Sequence, residues 1–402
     1  MGRFFRFDGL SMMSNPVSGR MRAVQAPIIP VIAAMIREHP GVISLGQGVA
    51  WYGPPRRALE RMREFGEGPD QHRYGPVEGL PELRALMREK LERENGISLS
   101  GRTVLVTAGA NMGFLNALFA IADAGDEIIL PSPYYFNQEM AVRMLGCTPV
   151  QLPTDDRFQL DLDRLERAIT PRTRAVVTVS PNNPSGAVYP EAALRAVNAL
   201  CRERGLFHVT DETYEYFVYD GARHFSPASL PDSAGHTISL YSLSKAYGFA
   251  SWRIGYMLIP RALEPAVLKV QDTNLICAPL VSQHAAVGAM ETGSAYCREK
   301  LATTARVRRI VLDALAGLGE RCRVPEAQGA FYVLVRIERG GDAFALAERL
   351  IREFGVAVIP GTAFGLDGGC YLRIAYGALL PATAEEGIGR LVHGLRTIMD
   401  GR

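Results

Sequence analysis

Of the 44 basic residues in this 402-residue chain, lysine stands only at positions 90, 245, 269 and 300; the others are arginine. An ammonium can shed its proton and attack a carbonyl, whereas a guanidinium cannot, so each lysine asks for an explanation. Lys90 lies in LRALMREKLERE, an amphipathic charged pattern, and reads as a surface charge, as do Lys269 and Lys300. Lys245 is different. It closes the run YSLSK at the end of an apolar stretch, with Ser242 and Ser244 just before it and Arg253 eight residues beyond. Other polar groups follow other apolar stretches: Gly109-Ala110-Asn111, Tyr134-Tyr135, Asn182-Asn183-Pro184 and Asp211-Glu212-x-Tyr214. The set comprises an amine nucleophile, a carboxylate, hydroxyls, and donors suited to an anion. Taken singly, Gly-Ala-Asn is a plain helix N-cap and Asn-Asn-Pro-Ser-Gly a plain turn.

Convergence of these groups needs a scaffold. Short, nearly continuous apolar runs at 103–109, 126–131, 174–181, 206–212, 237–245 and 253–260 alternate with helical patterns. That predicts an α/β fold with a mostly parallel central sheet and helices on both faces. In such a sheet ligands collect at the carboxyl ends of the strands, which is where the polar groups stand. After residue 300 a long Arg- and Ala-rich helix, the strand-like GVAVIPGTAF and CYLRIAYG, and a helix near 342–354 predict a smaller α+β domain. The expected division is an N-terminal arm with part of the small domain at 1–55, a large domain at 56–299 and a small domain at 300–402.

Composition narrows the function classes. Basic and acidic residues number 44 and 42, a net charge of +2, so nucleic-acid binding through bulk charge is not expected. No apolar run reaches the roughly 18 residues of a membrane-spanning helix. The six cysteines form no Cys-x-x-Cys pair and read as free thiols in a reducing compartment, the cytoplasm. The seven histidines lack paired metal-ligand spacing, so no metal site is expected. Residues 1–13 read as an untidy leader or an upstream start rather than a secretion signal.

In this order the polar groups fit one ligand, a phosphorylated pyridine aldehyde. Lys245 would form a Schiff base with the aldehyde, which needs a neutral amine favoured by nearby cations and partial burial. Asp211 would pair with the pyridine nitrogen and keep it protonated, making the ring an electron sink. Tyr214 and Asn183 would bond the ring's phenolic oxygen, and Tyr135 would stack on the ring face. The backbone N–H groups of Ala110 and Asn111, the hydroxyl of Ser242 and the planar fork of Arg253 would take the phosphate.

The stretches YGPVEGLPELR (74–84), TAGANMGF (107–114), PSPYYF (131–136), SPNNPSGAVY (180–189), DETY (211–214), SLSKAYGFASWRIGY (242–256) and YLRIAYG (371–377) resemble, in the same order, those of the fold type I class I/II aminotransferase family. The resemblance implies pyridoxal 5'-phosphate as cofactor. It makes Lys245 the catalytic Schiff-base lysine, Asp211 the ring-nitrogen partner and Arg253 the phosphate arginine, with Gly109 and Ser244 in the phosphate-binding turns. It also implies that Arg373 grips the substrate α-carboxylate with help from Asn183. Tyr74 would reach the phosphate of a neighbouring subunit, so a homodimer with shared sites is expected. Asn111 stands where relatives often carry Thr or Lys, which throws more of the phosphate's binding onto Arg253.

The expected reaction is a ping-pong exchange of an amino group between an L-amino acid and a 2-oxo acid. The wall DTNLICAPL (272–280) has no basic residue, and GQGVAWYGPP (46–55) supplies Gly48, Val49, Trp51 and Tyr52. Both predict a neutral substrate side chain, aromatic or methionine-like. The alternative is a carbon–sulfur β-lyase built on the same machinery. A regulator carrying this fold behind a DNA-binding domain is disfavoured, because only a short arm precedes residue 40. A scaffold without cofactor would leave these polar groups without partners.

Overall fold

The structure, a computed structural model, describes residues 17–401. The expectation about residues 1–13 lies outside them. A seven-stranded sheet runs, in spatial order, Arg102–Thr107, Gly255–Pro260, Thr237–Ser242, Phe207–Asp211, Thr173–Val179, Glu127–Ser132 and Thr148–Pro153. The last five strands of that order are mutually parallel, whereas Gly255–Pro260 is antiparallel to both of its neighbours. Helices cover both faces, which is why the inner strands read as continuous apolar runs. Leu105, Ile128, Val177, Ile238 and Met257 meet Phe114 and Leu118 of the helix Ala110–Ile121 on one face. Val104, Val106, Tyr241 and Leu258 meet Leu83, Met87 and Leu91 of the helix Pro81–Asn95 on the other.

Two features differ from the sequence reading. The strand Thr148–Pro153 (TPVQLP) was not foreseen. It is an edge strand paired only with Glu127–Ser132, so it is largely solvent-facing and tolerates two prolines that hide its character. The run read as a strand to residue 245 ends at Ser242, whose hydroxyl caps the helical turn Leu243–Ala246 by accepting from the Ser244 N–H at 3.1 Å.

The C-terminal part forms a four-stranded antiparallel sheet in the order Ile359–Pro360, Cys370–Ala375, Tyr332–Ile337, Cys322–Arg323. The helices Ala343–Phe354 and Pro381–Met399 contribute to its core through Leu346, Leu350, Leu391 and Leu395. Residue 300 falls inside the helix Ser294–Ala316. The arm's helix Ile28–Glu38 seats Ile32 against Ile351, Ile359 and Phe364, and Ile43–Ser44 pairs in parallel with Val356–Ala357.

Lys90 overturns its surface reading. It is 5% exposed, pairs with Glu215, donates to Asn95 Oδ1 at 2.7 Å, and its Nζ lies 4.9 Å from the Tyr241 ring centroid. Position 90 follows Leu83 and Met87 by seven and three residues, so it falls on the buried stripe of its helix. The surrounding charges concealed that spacing.

Candidate active site

A cavity of about 360 Å³ opens where the carboxyl ends of the large sheet face the small sheet. Lys245 reaches it from the turn that follows Thr237–Ser242. Its Nζ donates to the carbonyl of Gly48. Burial, with Arg253 and Arg373 nearby, pulls its ammonium down to about 8 against the opposing pull of Asp211. A group whose ordinary value is 10.5 is thus held near the point where half is neutral.

Asp211 ends the strand Phe207–Asp211 and is buried. Its Oδ2 accepts from Gln138 Nε2 at 3.0 Å and its Oδ1 from the Thr213 N–H at 3.1 Å. Burial nevertheless pushes its carboxyl up, the signature of a carboxylate short of a cationic partner. The adjacent Glu212 has the opposite fate. Burial would raise it too, but bonds from His224, Thr210 and Ser226 hold it low.

Tyr214 lies three residues past Asp211, and its hydroxyl sits 2.8 Å from that of Tyr332. Tyr135 caps the helix Phe136–Met144, and its hydroxyl accepts from Asn137 at 2.7 Å. Asn183 Oδ1 accepts from Arg373 Nη1 at 3.1 Å.

The opposite rim is an anion cradle. Ala110 and Asn111 open the helix Ala110–Ile121 and line the cavity beside Ser242, Ser244 and Arg253. Because Gly255–Pro260 runs backwards, the residues preceding it lie at the same sheet edge as the carboxyl ends of its neighbours: Gly255 pairs with both Thr107 and Ser242. Arg253 therefore arrives from the start of a strand, with φ +56°, a left-handed conformation costing a non-glycine residue about 1–2 kcal/mol. Its Nη1 donates to the Ala250 carbonyl at 2.8 Å. Gly109 takes φ +82° and ψ 165°, a backbone conformation that side chains rarely adopt, and a Cβ there would meet the Arg253 guanidinium.

Arg373 projects from Cys370–Ala375 and is buried. Its Nη2 donates to the Gly46 carbonyl at 2.6 Å, its Nε has no partner among the described residues, and its guanidinium lies 4.7 Å from the centroid of the Tyr332 ring. Burial pulls its charged form down in stability, so a carboxylate here is favoured. Of the charged groups lining the cavity, Lys245, Arg253 and Arg373 are cations and Asp211 is the carboxylate. That imbalance, with the orphaned Arg373 N–H and the unmatched Asp211, fits a ligand bearing a phosphate, a basic ring nitrogen and an aldehyde, beside a second carboxylate.

The walls include Gly48 and Val49 as expected, and also Ile29 and Phe136, which sequence reasoning missed. It also missed Gln138, Thr213 and Tyr332. Gln138 had a signal, standing one helical turn past Tyr135; Tyr332 had none, since an aromatic in an apolar strand reads as core. Four expected residues are not in the lining: Gly109, Trp51, Tyr52 and Tyr74. Trp51 packs edge-on against Tyr52 at 5.3 Å between centroids, with Lys300 Nζ 5.8 Å from its ring. Tyr74 is 82% exposed and is not among the residues that line this chain's own cavity.

A family model described as aminotransferase class I and II matches residues 40–391. The chain is 36% identical over 392 residues to the aromatic aminotransferase ISS1 of Arabidopsis thaliana, covering 95% of this chain and 97% of that protein. It is 35% identical over 367 residues to a probable aspartate/prephenate aminotransferase of Aquifex aeolicus, covering 89% and 90%. A solved structure, a double mutant of Thermus thermophilus aspartate aminotransferase, superposes with a TM-score of 0.86 at 32% identity, covering 94% of this chain and 100% of that one.

Proposed function

This chain belongs to the class I and II aminotransferase family, and from that premise we infer that it moves the amino group of a neutral, aromatic or methionine-like L-amino acid to a 2-oxo acid, using pyridoxal 5'-phosphate held at Lys245. The observation that carries this reading is the meeting of Lys245, Asp211, Arg253 and Arg373 in one cavity with an excess of positive charge. The lyase alternative is not favoured, since the relatives are named aminotransferases.

When bound, pyridoxal phosphate supplies an electron-poor ring that accepts the electron pair left by a departing Cα proton. Arg253, Ser242 and the N–H groups of Ala110 and Asn111 would hold its phosphate. The Asp211 carboxylate, steadied by Gln138 and Thr213, would pair with its ring nitrogen. Arg373 takes the substrate carboxylate with its free Nε–H, and Asn183 Oδ1 steadies the guanidinium by accepting from its Nη1. That grip fixes which Cα bond faces Lys245. Lys245 Nζ, able to be neutral near pH 8, takes the Cα proton and later returns one.

Ile29, Val49 and Phe136 give the side-chain region an apolar lining, and among the described residues no fourth cation lines it. Comparing kcat/KM for phenylalanine, methionine and aspartate tests the substrate. Phenylalanine and methionine are expected to exceed aspartate by about tenfold or more; an aspartate preference would overturn the substrate while leaving the reaction class.

The homodimer remains part of this proposal. Tyr74 is exposed, the adjoining Gly75 packs against Leu280, and the next residue, Val281, is a large apolar group left at the surface, a patch suited to a second copy that would receive Tyr74 at its phosphate. The six cysteines are unpaired, which supports work in a reducing compartment such as the cytoplasm.

A further inference from the structure

We propose that Tyr332 is a positioning residue that aims the Tyr214 proton at the cofactor's phenolic oxygen and so lowers the proton affinity of the Lys245–cofactor linkage. The proposal rests on the reading above and assigns a role to a residue that no motif singled out.

Two hydroxyls and their partners fix the geometry. Tyr214 and Tyr332 are buried, their oxygens are 2.8 Å apart, and each has one proton to donate. Only one proton can lie between them. Tyr332 has no other hydrogen-bond partner among the described residues. Its ring face carries the Arg373 guanidinium, which accepts nothing, and its oxygen presses on Gly48, where a Cβ would overlap it. Tyr332 and Arg373 come from adjacent strands, with Tyr332 paired to Ala375 two residues beyond Arg373, so they share one face of the small sheet.

The cation decides the direction. The Arg373 guanidinium lies over the Tyr332 ring and makes that phenol the more acidic of the two, and Tyr332 has no second acceptor among the described residues. The more acidic hydroxyl is the better donor. Tyr332 therefore gives its proton to Tyr214, and the Tyr214 proton is left for an acceptor in the cavity, which both residues line. Bonds in such a chain polarise one another. The phenolic oxygen then carries less free negative charge to hold the neighbouring linkage proton, and the linkage deprotonates at lower pH.

The other groups facing the linkage are Asp211 from its strand end, Tyr135 ahead of its helix, Arg253 from the reversed strand and Arg373 from the small sheet. Tyr332→Phe changes none of them, and it keeps the ring on which Arg373 rests.

The test titrates the visible absorbance of protein loaded with pyridoxal phosphate. Tyr332→Phe is expected to raise the linkage pKa by about 0.5–1 unit, a threefold to tenfold gain in proton affinity. Tyr214→Phe should raise it further, and Tyr214→Phe/Tyr332→Phe should match Tyr214→Phe alone, because the route through Tyr332 is then already cut. Wild-type protein supplies a measurement free of any variant. The carboxylate of 3-phenylpropionate neutralises Arg373, makes Tyr332 a poorer donor, and should raise the linkage pKa; the rise should shrink in Tyr332→Phe. A Tyr332→Phe titration that superimposes on wild type, additive shifts in the double variant, or no response of wild type to 3-phenylpropionate would each overturn the role. Wild-type protein that shows no linkage band at all would instead remove the functional reading beneath it.

Discussion

Lys90 lies outside the cavity lining and Lys245 within it, and both are withdrawn from water. Around Lys90 the charge is matched. Glu215 pairs with it, Asn95 accepts from it, and the faces of Tyr216 and Tyr241 turn towards it. Around Lys245 the charge is deliberately unmatched. Two arginines outweigh Asp211, and a backbone carbonyl is its hydrogen-bond acceptor. Burial alone therefore does not make a lysine reactive; burial without a paired anion does. The neighbouring carboxylates repeat the contrast. Glu212 is satisfied by His224, Thr210 and Ser226, whereas Asp211 is left facing the cavity with its carboxyl pushed up.

The widest separation between the two lysines comes from deleting each. Lys245→Ala should cut turnover by more than about 10³-fold, since it removes both the covalent anchor and the proton carrier, while the unfolding midpoint stays near wild type. Steady-state assays beside a thermal melt check both halves. Lys90→Met should invert that pattern. It strands Glu215 in the interior and should cost about 3–5 kcal/mol in a denaturant titration, with kcat preserved in the fraction that folds. Loss of turnover from the folded Lys90→Met protein would break the comparison.

A smaller effect sharpens it. Only neutral Lys245 can capture the aldehyde, so cofactor-free protein should take up pyridoxal phosphate about tenfold faster per pH unit below about 8 and level off above it. Stopped-flow absorbance reads this directly; a plateau reached only near 10.5 would mean that the surrounding cations do not act on the amine. The smallest expected change is that of Trp51→Phe. Its indole N–H has no partner among the described residues and its ring lies outside the cavity lining, so kcat/KM for phenylalanine should move by less than about threefold.

Much of this was legible from residue order because of how the sheet is covered. Strands buried on both faces leave continuous apolar runs, and the groups that matter come directly after them, so Asp211, Lys245 and Asn183 could be found by looking at strand ends. Arg253 was found by spacing, although the reversal of its strand, which explains its position, leaves no mark in an apolar run. The edge strand at 148–153 escaped because exposure and prolines erase the pattern. Tyr332 escaped because a polar tip on a core aromatic gives no periodic signal, whereas Gln138, one helical turn past Tyr135, left one that went unread. Trp51 lies outside the lining and packs on Tyr52, and a large aromatic beside glycines suits a packing role as well as a pocket wall.

The reversed strand carries one more consequence. Between Lys245 and Arg253 the backbone runs through a short connection, pinned at one end by the Ser242 cap and at the other by the Ser242–Gly255 pairing. Lys245 and Arg253 are thus held at a spacing that this one segment sets, and both line the cavity. Residues spliced into that connection would leave the sheet standing and spoil the spacing, whereas insertions at the distant ends of the same strands would pass unnoticed by the ligand.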